Sequence, residues 1–297
     1  ERGITVNKTT DAILACVDGS SYTDSVCAQA AWAAQRLQAP VQVLHVQPTH
    51  TDYAAPRDLS GAIGLGAKSS LLEKLTQVDE ERGKLDNQKG KVILEHASSE
   101  LTDAGIGGEV TPIVTLHRRG SLVETISELE ATTQLILLGK RGEHADFARL
   151  HLGSNLERVV RSAHKPVMVA ARSFHPIHRF VVAYDGGAST RKAIDYLAQS
   201  PLLQGLDCHL LKVGADSEEN RRQLAEAEST LQQAGYTVHA LLQPGHADDV
   251  LADYVKTEAM DLLVMGAYGH SHIRTLIIGS TTSNMLRSCL VPVLMFR

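Results

Sequence analysis

Short apolar segments alternate with helix-like segments along the chain, and the alternation is clearest in its second half. Five apolar runs of strand length occur there: RFVVAYD, CHLLKV, YTVHALLQ, DLLVMG and VPVLMF. Four segments between them place apolar residues at helical spacing, as SEENRRQLAEAESTLQQAG does. Because parallel sheets are covered on both faces, their strands read as continuous apolar runs separated by amphipathic helices. The pattern predicts a small doubly wound α/β domain of five strands and four helices.

The first half of the chain repeats this pattern. AILACVDGSS near the start matches FVVAYDGGAS in the second half, and 28 residues separate both Asp18 from Val46 and Asp185 from Val213. Near the end of each half, 13 residues separate a glycine from a proline. Equal spacing at both ends of the unit indicates that the whole domain has been duplicated.

We therefore predict two tandem Rossmann-like domains, at residues 1–174 and 175–297, each with the strand order 3-2-1-4-5. The boundary falls in RSFHPIHR, where a proline and polar residues interrupt two apolar runs. The first domain carries an insertion at about residues 48–99, after its second strand, and we expect this insertion to contribute a long helix at about residues 67–99.

Composition and charge narrow the class of protein. A net charge of −5 over 297 residues gives no electrostatic reason to expect nucleic acid or an anionic membrane as a partner. No apolar run reaches the ~18 residues that a membrane-spanning helix needs, and the first residues lack the apolar core of a signal peptide. Four cysteines lie singly in apolar stretches, as is typical of buried reduced thiols. We expect a cytoplasmic protein that binds neither nucleic acid nor membrane.

Two loops in each copy carry unusual chemistry, and both follow strands that meet where the predicted strand order reverses. One follows the first strand and contains Asp18 or Asp185. The other follows the fourth strand and reads MGAYGHSHIRTLIIGSTTSNML in the second copy. Its glycines let backbone N–H groups approach a ligand, and the helix that starts at Gly-Ser attracts anions. Phosphate binding is one interpretation, and a capped helix after a pliable loop is the other.

This phrase resembles the signature of the universal stress protein family. The second copy has Gly266, Gly269, nine further residues and then Gly279-Ser280, which matches the G-x2-G-x9-G-[ST] phrase of the branch that binds ATP. The first copy has LGKRGEHADFARLHLGSN, with ten residues in place of nine. The resemblance covers both copies and implies an ATP-binding regulatory protein of the stress response, with Mg²⁺ held through the phosphates.

The resemblance also implies which residues contact the nucleotide. Adenine and ribose would lie against the ends of the first and second strands, and the phosphates against the loop after the fourth. In the second copy the implied residues are Ala183, Tyr184, Asp185, Val213, Met265, Gly266, Gly269, Gly279, Ser280 and Thr281. In the first copy, the candidate second site, they are Cys16, Val17, Asp18, Val46, Leu138, Gly139, Gly142, Gly153, Ser154 and Asn155.

Efficient catalysis is not predicted. Hydrolysis of ATP needs a positioned base and cations that face the γ-phosphate, whereas the resemblance places Asp18 and Asp185 beside the ribose. Slow ATP turnover stays open. So do a scaffold of the same fold that binds no nucleotide and an adenylyl transferase or ATP pyrophosphatase, although the S-G-G-x-D-S and H-x-G-H phrases of those enzymes are absent after the first strand.

The last strand of each copy is apolar, and exposed apolar strand edges are usually paired or covered. In the family that the chain resembles, the last strand typically mediates dimerisation. We therefore expect the two copies to pair within one chain as a pseudo-dimer, and association of two chains into a homodimer stays open.

Overall fold

A computed structural model describes the backbone of residues 11–48, 65–140, 154–267 and 280–297. The first copy alternates strands and helices throughout. In chain order it contains β1 (Ala12–Cys16), α1 (Thr23–Leu37), β2 (Val41–Gln47), α2 (Leu65–Asp103), β3 (Ile113–Arg119), α3 (Leu122–Leu129), β4 (Thr133–Gly139), α4 (Ser154–Ser162) and β5 (Val167–Ala170).

The second copy follows the same order. It contains β6 (Arg179–Ala183), α5 (Ala188–Gln199), β7 (Asp207–Val213), α6 (Glu218–Gln233), β8 (Val238–Gln243), α7 (Ala247–Thr257), β9 (Leu262–Gly266), α8 (Ser280–Ser288) and β10 (Val293–Phe296). The predicted class, two doubly wound parallel units each with strand order 3-2-1-4-5, is confirmed. The main difference between the copies is α2, whose 39 residues stand where α6 has 16.

Local sequence explains where α6 begins and ends. The Ser217 hydroxyl accepts a hydrogen bond from the backbone N–H of Asn220 at 3.2 Å and so caps the start of α6. Along that helix Leu224, Ala227 and Leu231 are buried, which fits one apolar stripe facing the sheet. Gly235 follows the helix with φ of +91°, a conformation that glycine adopts without steric cost and that commonly ends a helix.

The strands form one ten-stranded sheet in the order β3-β2-β1-β4-β5-β10-β9-β6-β7-β8. Every neighbouring pair is parallel except β5 and β10, which are antiparallel with Val293 opposite Val169. Side chains alternate between two cores along each strand, so that Ile13 faces one core and Leu14 the other. Helices α1, α2, α5 and α6 cover the first core, and α3, α4, α7 and α8 cover the second.

The four cysteines, Cys16, Cys27, Cys208 and Cys289, are free and buried, as predicted. Burial raises the pKa of the Cys27 and Cys208 thiols to about 12, so they stay protonated at neutral pH and are poor nucleophiles. Across the described ranges, no helix combines the length and apolar character needed to cross a membrane.

Candidate functional site

The carboxyl ends of β7, β6 and β9 meet at one edge of the sheet in the second copy. Ala183 at the end of β6 is opposite Leu211 of β7 on one side and Met265 of β9 on the other. This register brings together six of the sequence-predicted residues on three adjacent strand ends. They are Ala183, Tyr184, Asp185, Val213, Met265 and Gly266.

The first copy repeats the arrangement with β2, β1 and β4. Cys16 at the end of β1 is opposite Leu44 of β2, and the preceding Ala15 is opposite Leu137 of β4. Six predicted residues again lie on adjacent strand ends: Cys16, Val17, Asp18, Val46, Leu138 and Gly139.

The glycine-rich loops themselves lie largely outside the described residues. Gly142, Gly153, Gly269 and Gly279 fall there, so their predicted contact with phosphate stays a prediction. The backbones of Ser154 and Ser280 begin α4 and α8, and Thr281 follows in α8. Asn155 is exposed in the first turn of α4.

Asp185 is held in one orientation by its own loop. Its Oδ1 accepts hydrogen bonds from the backbone N–H of Gly187 at 2.7 Å and from the Thr190 hydroxyl at 2.6 Å. The intervening Gly186 has φ of +81°, and a Cβ there would lie 2.4 Å from Oε1 of Gln223. The positive φ favours glycine at this turn, and a side chain there would also displace the amide of Gln223.

Asp18 occupies the matching place in the first copy with a different set of partners. Its Oδ1 accepts a hydrogen bond from the backbone N–H of Ser20 at 3.0 Å. The Thr23 hydroxyl, in the first turn of α1, accepts from the N–H of Gly19 at 3.1 Å, whereas Thr190 donates to the aspartate of its copy. The side chain of Asp185 is therefore tied directly to the following helix, and the turn at Asp18 is tied to its helix through backbone.

A buried polar side chain beneath each turn was missed by the sequence reasoning. The Lys212 ammonium donates to the carbonyl oxygen of Asp185 at 3.0 Å and to Oε1 of Gln223 at 3.0 Å, and it lies 5.4 Å from the ring centre of Tyr184. Burial lowers the pKa of Lys212, while the carboxylates of Asp185 and Glu219 oppose that effect. The Lys212 ammonium lies against the edge at which the predicted site residues meet.

His45 takes the place of Lys212 in the first copy. Its Nδ1 lies 2.9 Å from the carbonyl oxygen of Val17, which can only accept, so Nδ1 carries the proton. Both residues immediately precede a predicted site residue, Val46 or Val213. A polar residue at the same position of two apolar strands was the signal that could have identified them.

The first turn of α8 is fixed to the end of β9. The Thr282 hydroxyl is buried and lies 3.2 Å from the carbonyl oxygen of Gly266 and 3.4 Å from that of Ala267. Because the backbone N–H groups at a helix start have no intrahelical partners, this contact holds a set of free donors beside the strand end.

The first turn of α5 packs against the same strand end. A Cβ on Gly266 would lie 2.9 Å from Cβ of Ser189 and 3.2 Å from Cγ2 of Thr190. Glycine at 266 therefore lets the first turn of α5, which follows the loop of Asp185, approach the end of β9 closely. The resulting edge combines a fixed carboxylate, a buried ammonium and a helix N-terminus where the strand order reverses, an arrangement suited to a ligand with a polar sugar and an anionic group.

Comparison with known proteins agrees with this architecture. The model of the universal stress protein family matches residues 9–171 and again residues 176–297. The universal stress protein Slr1230 of Synechocystis sp. is 40% identical over 288 residues, which cover 96% of this chain and 99% of that protein. Universal stress protein Rv1996 of Mycobacterium tuberculosis is 28% identical over 235 residues, or 71% of each chain.

Among solved structures, a universal stress protein from Archaeoglobus fulgidus superposes with a TM-score of 0.69 at 20% identity. The superposition covers 97% of this chain and 98% of that one, which shows a shared fold. Two family-model matches and a relative of nearly the same length identify the chain as a member of the universal stress protein family that carries two copies of the family domain.

Proposed function

We propose that the second copy binds ATP, with Mg²⁺ held mainly through the phosphates, and that the protein is a nucleotide-responsive regulator of the stress response. The observation that carries this proposal is the fixed start of α8 beside the end of β9. Thr282 holds that helix start beside the paired carboxyl ends of β6 and β9, and Asp185 follows the end of β6. Helix N-termini at such reversal points are suited to phosphate groups.

In this proposal each group of residues contacts a different part of ATP. Asp185, whose carboxylate is oriented by Gly187 and Thr190, would accept hydrogen bonds from ribose hydroxyls. Ala183, Tyr184, Val213 and Met265 would flank the base and sugar. Gly266 would lie beside the nucleotide with Met265. The phosphates would lie on Gly269, Gly279, Ser280 and Thr281, and Mg²⁺ would complete its shell with phosphate oxygens and water.

The first copy is the weaker candidate for a second ATP site. Its strand ends and Asp18 match those of the second copy, but its loop is one residue longer between the second and third glycines. Lys140, which follows β4, is buried and directs its ammonium to the carbonyl oxygen of Cys289 in the other copy. This cation is therefore directed toward the second copy.

We further propose that the two copies act as a pseudo-dimer within a cytoplasmic protein. The antiparallel pairing of β5 with β10, the contact of Lys140 with Cys289 and a 2.9 Å hydrogen bond from the Arg297 guanidinium to the carbonyl oxygen of Ser162 support the pairing. The free, buried thiols suit a reducing compartment.

Nucleotide content and stoichiometry test the proposal. The protein is purified gently and denatured, the released nucleotide is identified and counted, and the apoprotein is titrated with MgATP. We expect one ATP per chain that is lost in Gly279→Val and kept in Gly153→Val, or two ATP per chain with one lost in each variant. Absence of ATP from the purified protein together with no uptake of MgATP would overturn the proposal and favour a scaffold.

A further inference from the structure

A second cluster of functional side chains lies at the opposite end of β7 from the proposed nucleotide site. Asp207 begins β7, His209 follows two residues later on the same face, and His239 of β8 is opposite His209 in the parallel register. Across the described part of the chain this is the group of three His, Cys, Asp or Glu side chains whose ligand atoms all lie within 4.8 Å of one another. We propose that Asp207, His209 and His239 bind a divalent transition-metal ion of the zinc class.

The separations of the ligand atoms fit a single ion. Nε2 of His209 lies 3.4 Å from Oδ2 of Asp207, and Nε2 of His239 lies 3.1 Å from Oδ1 of the same carboxylate. Zinc binds histidine nitrogen and carboxylate oxygen at about 2.0–2.2 Å in a tetrahedron, so its ligand atoms stand roughly 3.3 Å apart. Both imidazoles already direct the same ring nitrogen toward one carboxylate, so small adjustments would bring all three groups onto one ion.

Tyr254 supplies the outer contact that histidine ligands of metals usually have. Its hydroxyl oxygen lies 2.7 Å from Nδ1 of His209, the nitrogen that does not face Asp207. When a metal occupies Nε2, Nδ1 carries the proton and donates a hydrogen bond to this oxygen. This bond fixes both the tautomer and the ring orientation.

The cluster combines a rigid side with an open side. The His209 side chain is 12% exposed, whereas that of His239 is 52% exposed on the edge strand of the sheet. A cavity of about 410 Å³ lies against the two histidines and Tyr254 and is also lined by Asp253 and Glu258. Three protein ligands therefore leave a fourth position that water from this cavity can fill, and the acidic lining favours a cation.

Nitrogen-rich sites of this kind favour zinc and its neighbours over Mg²⁺ or Ca²⁺, which prefer all-oxygen shells. A bound ion would join β7 to the edge strand β8 at their amino-terminal ends. The expected consequence is metal-dependent stability of the second copy, because an ion that binds the folded state stabilises it according to its concentration.

Direct titration of the untagged, chelator-treated full chain with Zn²⁺ tests this site. We expect one tight Zn²⁺ per chain, an absorption spectrum typical of tetrahedral Co²⁺ when cobalt replaces zinc, and a rise in the thermal midpoint upon adding zinc. His239→Ala should abolish all three effects. Because the His239 side chain is exposed, its replacement by alanine should not unfold the protein. Circular dichroism of the metal-free variant checks that it is folded.

Two further variants separate a metal site from simple hydrogen bonding. Tyr254→Phe should weaken Zn²⁺ binding by about 10–100-fold without removing a ligand, as loss of an outer-shell partner does. His96→Ala is the matched control, because His96 also pairs with one carboxylate, that of Asp24 at 2.8 Å, and should leave Zn²⁺ affinity unchanged. If wild type and His239→Ala bind Zn²⁺ equally, or if wild type binds none, the three residues form a hydrogen-bonded cluster and the proposal is wrong.

Uptake of MgATP tests whether the metal site and the nucleotide site are separate. The proposed nucleotide edge lies at the carboxyl ends of β6, β7 and β9, and the metal cluster at the amino ends of β7 and β8. His239→Ala should therefore take up MgATP as wild type does, whichever way the nucleotide proposal is decided, and a loss of MgATP uptake in this variant alone would contradict two separate sites.

Discussion

At the scale of single residues, the space around Gly266 makes the sharpest prediction. Gly266→Ala places a Cβ at 2.9 Å from Cβ of Ser189, closer than side-chain atoms normally approach. We expect a loss of about 1–3 kcal/mol in the free energy of unfolding, the usual cost of overpacking, and weaker uptake of MgATP because α5 must move away from β9. Urea denaturation and titration calorimetry measure the two effects.

Gly108→Ala is the matched control, since nothing lies within 4 Å of its would-be Cβ. Its free energy of unfolding should stay within about 0.5 kcal/mol of wild type, as surface changes do. Equal stability of the two variants would mean that the end of β9 tolerates a side chain, and that the close approach of α5 does not depend on glycine.

Residue-scale features also show what sequence alone could not supply. The repeated pattern was enough to place Asp18, Asp185, Gly139 and Gly266 at or just after strand ends, whereas their role in binding stays a prediction. Lys212 and His45 stand out in the sequence only as polar residues within apolar strands. Their partners could not be assigned, since these include backbone carbonyls that follow a neighbouring strand, and the register decides which carbonyl is in reach. The proposed metal site was not predicted for the same reason. Asp207 and His209 are two residues apart in sequence, but His239 lies beside them only through the pairing of β7 with β8.

At the scale of secondary-structure elements, the hydroxyl of Thr282 is predicted to position α8. Thr282→Val keeps the shape of the buried side chain and removes its hydrogen bond to the end of β9. We expect a loss of about 1–3 kcal/mol in stability, because the carbonyl of Gly266 would lose this buried partner, together with weaker MgATP binding. Thr230→Val, which removes a hydroxyl on the exposed surface of α6, should leave MgATP binding unchanged.

Most elements follow from apolar patterning. The predicted strands of the second copy agree with β6–β10 to within two residues at either end, with helices between them. Apart from the edge strand β8, these apolar runs are largely buried in the sheet. The long insertion helix was expected at about residues 67–99 and extends over Leu65–Asp103. Its last residues, Thr102 and Asp103, are polar and exposed, so apolar spacing does not define where the helix ends.

At the scale of the whole molecule, the buried thiols predict a loss of stability at alkaline pH. Burial raises the pKa of Cys27 and Cys208 from 9.0 to about 12, so above pH 9 the unfolded chain ionises these thiols and the folded chain does not. The stability that this difference contributes is fully present below pH 9, and each thiol removes about 1.4 kcal/mol per pH unit above it.

Urea denaturation at several pH values between 7 and 11 measures this slope. Cys27→Ala should lower stability at pH 7, since it empties a buried position, yet give a shallower decline above pH 9. An identical slope in wild type and Cys27→Ala would show that this thiol ionises as readily in the folded protein as in the unfolded chain.

The pairing of β5 with β10 predicts that the two copies unfold together. The core that faces α1, α2, α5 and α6 includes Met168 of the first copy beside Leu294 of the second, so loss of either copy exposes apolar surface of the other. The single tryptophan, Trp32, lies in α1 of the first copy and reports its unfolding.

Leu210→Ala, a change at a fully buried position of the second copy, should cost about 2–5 kcal/mol in the free energy of unfolding. We expect it to move the urea midpoint of Trp32 fluorescence and that of far-ultraviolet circular dichroism equally, as Leu14→Ala in the first copy should also do. A circular dichroism transition that splits in two, with the Trp32 midpoint left at its wild-type value, would instead mean that each copy is stable alone and that the shared sheet joins two independent domains.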